Sequence, residues 1–561
     1  MKFLLKNGFV INVFTDEIEK CDVLLENGII IGVGKYDEND ADEFEDISGK
    51  YVCPGFIDGH IHIESTMLTP TELAKVCLPC GTTSIVADPH EIANVCGTQG
   101  IEYMLQASEG LPLNVYITLS SCVPATPFDE SGAVLGAEDL EKFYSNDRVV
   151  GLAEMMNYPG VIAGEASILD KINSAKAHRK NIDGHAPFLS GKDLDKYVSA
   201  GIQTDHECTD INEALEKIRK GQWIMIREGT AAKNLAELAP LFDEPYSRRC
   251  LLVTDDRHPA DLAKDGHIDN IIKLAVKHGK NVVTAIRMAT IQAAQCFGLQ
   301  FVGAVAPGYR ADILVLDELE GVKVRDVYSQ GKKVVSCGKV EKFGKPTVTE
   351  DLANRVLNSF NVQELSAKSF YIQEKSDKCR AIRVIPQQLI TDEEIINVDW
   401  SKNNGIDIQR DILKLAVIER HHNTGHIGLG FICGIGLKNG AIASSVSHDS
   451  HNLIVIGTND ADMAIAANHI RKTGGNVVVA DGKIISEMNL PIAGLMSDAS
   501  AEEIATANDN VRAAVHKLGV CEGIEPFMNM AFVSLSVIPT LKMTTHGLVN
   551  VQKQELVSLY V

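Results

Sequence analysis

The hydrophobic pattern changes rhythm three times along the 561 residues. Up to residue 53, short apolar runs at 3–5, 9–13, 22–25 and 29–33 are separated by Asn-Gly and acidic turns, which predicts β-hairpins. The acidic stretch 37–46 reads as a solvated loop. From Phe56 onward the pattern becomes strand, loop, helix, repeated. Strands are predicted at 56–63, 83–87, 114–119, 149–154, 182–185, 203–206, 223–227 and 251–254. Between them, apolar positions at spacings of three and four predict helices at 137–144, 168–180, 192–200 and 212–220, followed by 262–279 and 283–297. Such an alternation predicts an α/β protein built on a closed, parallel (β/α)8 TIM-like barrel over residues 54–302. An open doubly wound sheet is disfavoured, since no Gly-x-Gly-x-x-Gly follows a first strand.

The third rhythm begins after the barrel. Strands at 312–316 and 332–335 lead into a polar linker at 345–366. Residues 366–561 read as a C-terminal α+β domain, with strands at 381–384, 413–418, 427–431, 441–445, 453–457 and 476–480 and helices at 462–473 and 501–518.

Composition narrows the function classes. The net charge of -22 argues against a nucleic-acid surface, which needs basic residues to neutralise phosphates. Thirteen scattered cysteines, an odd number, fit reduced thiols in a cytoplasmic protein better than a disulfide framework. The N-terminal apolar run breaks at Lys6 and Gly8, too soon for a signal peptide, and no run is long enough for a membrane span.

Chemistry-bearing residues gather at the predicted strand ends. His60 and His62 lie two apart on one strand, so both imidazoles face one way and can reach one cation. A lone His-x-His is a weak signal. Here the strand ends offer, in order, His60 and His62, Asp88-Pro-His90-Glu91, Ser120-Ser121, Glu154, His185, His206-Glu207, Arg227-Glu228 and Asp255-Asp256. Barrel active sites are built where such ends converge. Four histidines and two carboxylates at one end predict a metal site with N and O donors. In the C-terminal part, Arg420-His-His-Asn-Thr-Gly-His426 reads as a polar turn rather than a metal tract. The stretch Ser447-His448-Asp-Ser-His451-Asn452 fits two readings, a turn pinning two strands or a loop closing the barrel mouth.

Several motifs carry a family resemblance. Pro54-Gly-Phe-Ile-Asp-Gly-His-Ile-His62, the His185 and His206 strands, the strand-eight Asp and Gly303-Ala-Val-Ala-Pro-Gly308-Tyr-Arg-Ala311-Asp312 resemble the amidohydrolase superfamily. His62-Ile-Glu64-Ser-Thr-Met, Asp88-Pro-His-Glu-Ile-Ala-Asn-Val-Cys-Gly97, Thr254-Asp-Asp-Arg-His-Pro259 and Ser447-His-Asp-Ser-His-Asn452 are similar to microbial adenine deaminases within it. The resemblance implies a flanking β-sandwich made of residues 1–53 with 303–345. It also implies two divalent metal ions per chain, Mn(II) favoured with Fe(II) or Zn(II) as alternatives. His60, His62 and Asp255 would hold the more buried ion, His185 and His206 the more exposed one, and Glu154 would bridge them. Asp255 and Asp256 both remain candidates for the strand-eight ligand.

The reaction implied is hydrolytic deamination of adenine to hypoxanthine and ammonia by a metal-activated hydroxide, as in purine salvage, with Asp255 moving the proton. Glu64, His90, Glu91, Glu207, Arg227, Glu228, Asp256, His448 and His451 are candidates for contacting the substrate or orienting the ligands. The expected partner is small-molecule adenine, with no nucleic acid and no membrane, in a homo-oligomer. The alternative reaction is cyclic amide hydrolysis of the dihydroorotase or hydantoinase kind. A cytidine-type zinc deaminase is disfavoured, because no Pro-Cys-x-x-Cys follows His62-x-Glu64.

Overall fold

The computed structural model describes every residue of 1–561 except Ala231 and Gln387, and the chain divides into two units. The first comprises Met1–Pro89, Met104–Ser121 and Gly136–Thr347. The second comprises His90–Tyr103, Cys122–Leu135 and Val348–Val561. Among the described residues, no helix is long and apolar enough to cross a membrane.

Within the first unit, strands from both flanks of the barrel sequence join in one continuous nine-stranded sheet. The join is made by Tyr51–Pro54, which pairs antiparallel with Ile313–Glu318 so that Val52 opposes Val315. Alternate residues of these strands, including Leu5, Val10, Val23, Ile313 and Val315, bury one shared apolar face. The acidic stretch 37–46 is not simply a loop. It holds a 3-10 turn, Glu38–Asp40, and a strand, Glu43–Asp46, that pairs parallel with Lys2–Asn12 and so satisfies that strand's edge.

The barrel itself has eight parallel strands. Phe56–Ile61, Thr82–Ala87, Asn114–Leu119, Val149–Met155 and Asn181–Gly184 form one run, and Thr204–Asp205, Trp223–Arg227 and Cys250–Val253 form the other. Two backbone contacts join the runs: the Gln203 N–H donates to Ile182 O at 2.9 Å, and the Asp255 N–H donates to His60 O at 2.9 Å. Ile57, Val86, Val150, Met225 and Val253 fill the interior with Phe297, giving the packed core expected of such a barrel. Two predicted helices are each broken in two. Residues 262–279 form Pro259–Asp265 and Ile268–Lys277, separated at Gly266, whose φ of +96° and close approach to Asp269 favour glycine. Residues 283–297 form Val282–Met288 and Ile291–Cys296.

The second unit is organised on an eight-stranded sheet running from Thr391–Asn397 at one edge to Lys483–Met488 at the other. Helix Asp460–Thr473 lays Met463, Ala466, Ala467 and Ile470 against Ala416, Ala443, Val455 and Val477, the small alanines allowing close approach. The predicted linker at 345–366 carries a helix, Glu350–Leu357, whose Leu352 and Val356 are buried. Its apolar positions were too few to outweigh the surrounding polarity in the sequence pattern.

Candidate metal centre

Asp58 builds the ground on which the centre stands. Its carboxylate accepts the His60 N–H at 3.2 Å, the Thr254 N–H at 3.1 Å and the Thr254 hydroxyl at 2.5 Å. The first and eighth barrel strands are thereby tied at the level of their ligands. Gly59 packs closely on the eighth strand, since a Cβ there would lie 2.4 Å from Leu251 Cδ1 and that side chain would have to shift. Asp255 turns back from the eighth strand with φ +58°, a strained conformation of the kind that collects at functional sites.

Six side chains converge from five strand ends. His62 Nε2 lies 3.2 Å from His60 Nε2, 3.3 Å from Asp255 Oδ1 and 3.3 Å from Glu154 Oε1. The other Glu154 oxygen, Oε2, lies 2.7 Å from His185 Nδ1 and 3.2 Å from His206 Nε2. Glu154 therefore faces His62 with one oxygen and the pair His185 and His206 with the other. All six residues are buried except His185, which is partly open.

The outer partners decide what the rings can do. His60 Nδ1 lies 2.8 Å from Asp183 Oδ2, and His62 Nδ1 lies 3.2 Å from the Asp88 carbonyl oxygen. Both partners are acceptors, so each ring keeps its proton on Nδ1. A neutral ring then presents an Nε2 lone pair, and two such lone pairs meet beside two carboxylates. That convergence of acceptors fits a cation. His60, His62 and Asp255 bring their donor atoms within 4.8 Å of one another, as do His60, Glu154 and His206, so that either group could hold an ion. The donor set is imidazole and carboxylate with no thiolate, which suits Mn, Fe or Zn.

Electrostatics point the same way. Glu154, Asp183, Glu207 and Asp255 gather around the histidines, and Arg227 pairs with two of them, Glu207 and Asp255. Burial alone would lower the pKa of His62, yet Asp255 and Glu154 raise it well above the ordinary value. At His185, Glu207 and Glu154 outweigh burial and push the pKa up to about 9. The protein alone thus gathers an excess of negative charge that extra protons or a bound cation must offset. Arg227 pairs bidentately with Glu207 at 2.5 and 2.8 Å and also contacts Asp255 Oδ2 at 2.5 Å. Burial would raise the Asp255 pKa, but Arg227, then His62 and His206, hold it well below the usual carboxylate range.

Comparison with known proteins bears directly on this centre. The amidohydrolase family model matches residues 51–334, and the model of the adenine deaminase C-terminal domain matches residues 388–555. An adenine deaminase 2 of Carboxydothermus hydrogenoformans is 47% identical over 552 residues, covering 98% of this chain and 95% of the relative. Adenine deaminases of Desulfatibacillum aliphaticivorans and Clostridium acetobutylicum are each 46% identical, covering 99% and 98% of this chain and 97% and 96% of their own lengths. The chain belongs to the adenine deaminase family. It is accordingly a hydrolase of the amidohydrolase type acting on C–N bonds.

In this family member the remaining candidates separate into distinct settings. Glu207 lies 3.5 Å from His185 Nδ1 and from His206 Nε2, beside the cluster. Asp256 accepts the Ser65 hydroxyl at 2.5 Å, while Asp255 is the aspartate that faces His62. Glu64 is buried in the 3-10 turn Glu64–Thr66 directly after His62. Glu228 has a different use: its Oε1 accepts the Leu235 N–H at 3.0 Å at the start of a short helix, and burial raises its pKa.

His90, Glu91, His448 and His451 all lie in the second unit. There Glu91 Oε1 is 3.1 Å from His448 Nδ1, and His90 Nε2 is 3.8 Å from Asp449 Oδ1. Asp183 and Asp58, which hold His60 and Thr254 in place, were missed by sequence reasoning. A signal existed, because Asp58-Gly-His60 and Asp183-Gly-His185 repeat the same three residues at two strand ends. The polar-turn reading of 420–426 holds for its first part. Glu419 accepts the His422 N–H at 2.7 Å and the Thr424 N–H at 2.9 Å, and His421 Nε2 lies 2.8 Å from Ser450 O.

Proposed function

We propose that this protein deaminates adenine hydrolytically to hypoxanthine and ammonia, using two divalent cations held at the barrel mouth. The observation that carries the reading is Glu154, whose two oxygens face separate histidine groups, 3.3 Å from His62 and 2.7 Å from His185. In the proposed arrangement His60, His62 and Asp255 would hold one ion, His185 and His206 the other, and Glu154 would contribute to both. Mn(II) is the favoured ion, with Fe(II) and Zn(II) also suited to the donors. Bound there, such ions supply a nucleophilic hydroxide at neutral pH by acidifying a water.

The chain's own groups do the rest. Asp183 and the Asp88 carbonyl fix His60 and His62 in the Nδ1–H tautomer, so that Nε2 points inward. Arg227 holds Asp255 by Oδ2 and keeps the carboxylate ionised, and Asp255 would take a proton and return it to the departing amine. Glu207, clamped by Arg227, orients the guanidinium and completes the charge around His185 and His206.

The deciding experiment incubates metal-loaded enzyme with adenine, adenosine, dihydroorotate and a hydantoin, following ammonia and the purine absorbance. Conversion of adenine alone to hypoxanthine, with full turnover needing two metal equivalents, is the expected result. Ring opening of dihydroorotate or hydantoin with no ammonia from adenine would refute it.

A further inference from the structure

We propose that Glu130, His426 and His546 form a peripheral zinc-binding site in the second unit, sharing no residue with the barrel-end cluster. Three distant stretches supply it. Glu130 lies in the segment Cys122–Leu135, His426 directly precedes strand Ile427–Cys433, and His546 sits in the turn between strands Leu541–Thr544 and Gly547–Asn550. His426 Nδ1 is 2.8 Å from Glu130 Oε1, and His546 Nε2 is 3.8 Å from Glu130 Oε2. All three candidate ligand atoms lie within 4.8 Å of one another. Tetrahedral zinc at about 2.0–2.2 Å from N and O donors places its ligand atoms roughly 3.3 Å apart, between those two distances.

The carboxylate is already oriented. Its Oε2 accepts the Thr545 hydroxyl at 2.5 Å, and the Glu130 backbone carbonyl accepts the Asn452 amide at 2.7 Å. Support of this kind for a ligand raises affinity, because less freedom is lost on binding. The two imidazoles are open to solvent, with side-chain exposures of 52% for His426 and 38% for His546, so an ion can enter and water can complete its shell. Two imidazoles and one carboxylate form a borderline donor set that favours zinc over calcium or magnesium. Zinc bound there would staple the Cys122–Leu135 segment to the sheet strand and to the C-terminal hairpin.

The test uses full-length enzyme already loaded with manganese. Wild type, Glu130→Gln and the double variant His426→Ala with His546→Ala are dialysed against zinc at neutral pH, and both metals are counted by mass spectrometry. Wild type is expected to take up one zinc per chain more than the double variant at equal manganese content. Zinc is also expected to raise the melting temperature of wild type but not of the double variant, as mass action requires of a ligand that binds the folded state. Glu130→Gln, which keeps the side-chain shape, should weaken zinc binding by at least about tenfold. It carries the test if the double variant does not fold. Equal zinc content in wild type and variants would overturn the proposal.

Discussion

The barrel-end cluster and the Glu91 cluster of the second unit are made of the same residue types, yet hydrogen bonding sets them to different uses. At His60 and His62 the outer partners of Nδ1 are acceptors, Asp183 and the Asp88 carbonyl, so lone pairs face inward. At His451 the outer partner is a donor. The Ser447 N–H donates to its Nδ1 at 3.2 Å, which leaves the proton on Nε2, aimed at Glu91 Oε2 3.7 Å away. His448 meets Glu91 at 3.1 Å and lies against the Phe532 ring. In the second cluster ring nitrogens of His448 and His451 face Glu91, whereas the first collects acceptors. The outer contact of each ring, a carboxylate or carbonyl in the first cluster and a backbone N–H at His451, therefore sets which nitrogen carries the proton.

The largest effect is expected from the residue that the first cluster uses twice. Asp255→Asn keeps an oxygen for the metal but cannot carry a proton, so turnover should fall by at least about 10²- to 10⁴-fold with most of the metal retained. Steady-state rates and metal content of the purified variant check this. A near-normal rate would show that the proton moves elsewhere.

Asp183→Asn tests the tautomer argument itself. Its amide can present a donor to His60 Nδ1, so metal affinity should drop by about 10- to 100-fold, read by manganese titration after chelation. The matching change in the other cluster, Glu91→Gln, should leave that titration curve unmoved and instead lower stability by about 1–3 kcal/mol, since His448 loses its charged partner. Denaturant unfolding of the two variants side by side separates the cases. Loss of manganese binding in Glu91→Gln would erase the distinction between the clusters.

Acid should also tell them apart. Burial, opposed by Glu91, pushes the His451 pKa from an ordinary 6.5 down to about 3. Between those values the unfolded chain binds a proton that the folded chain does not, so stability falls as pH falls. Glu91, whose pKa is lowered because His448 and His451 outweigh its burial, acts in the same direction below the usual carboxylate pKa. His451→Gln should flatten the decline in unfolding midpoint between neutral pH and about 4. An unchanged slope would mean that His451 titrates normally.

The smallest effect is expected at Asp256, whose carboxylate holds the Ser65 hydroxyl. Asp256→Asn should change turnover by less than about tenfold, below the range of a lost general acid or base. Collapse of activity in that variant with a healthy Asp255→Asn would reverse the two roles.

Much of the barrel was legible because period-two and helical apolar patterns are local. The strands Asn114–Leu119 and Trp223–Arg227 begin and end where the pattern predicts. His60, His62, Glu154, His185, His206 and Asp255 could be picked out because each ends or follows an apolar strand, and parallel barrel strands all end on one face. Strands Lys323–Ser329 and Thr391–Asn397 escaped notice, since charged residues on their open faces dilute the alternation. What the sequence determined by itself was which strand end each of these candidate residues occupies. Tertiary structure alone decided that Arg227 clamps Glu207 and Asp255, that Asp183 orients His60, and that Glu91 meets His448 across more than three hundred residues of chain. Those pairings depend on distances between segments far apart in sequence, and a hydrogen bond's direction leaves no periodic trace in the pattern of apolar and polar positions.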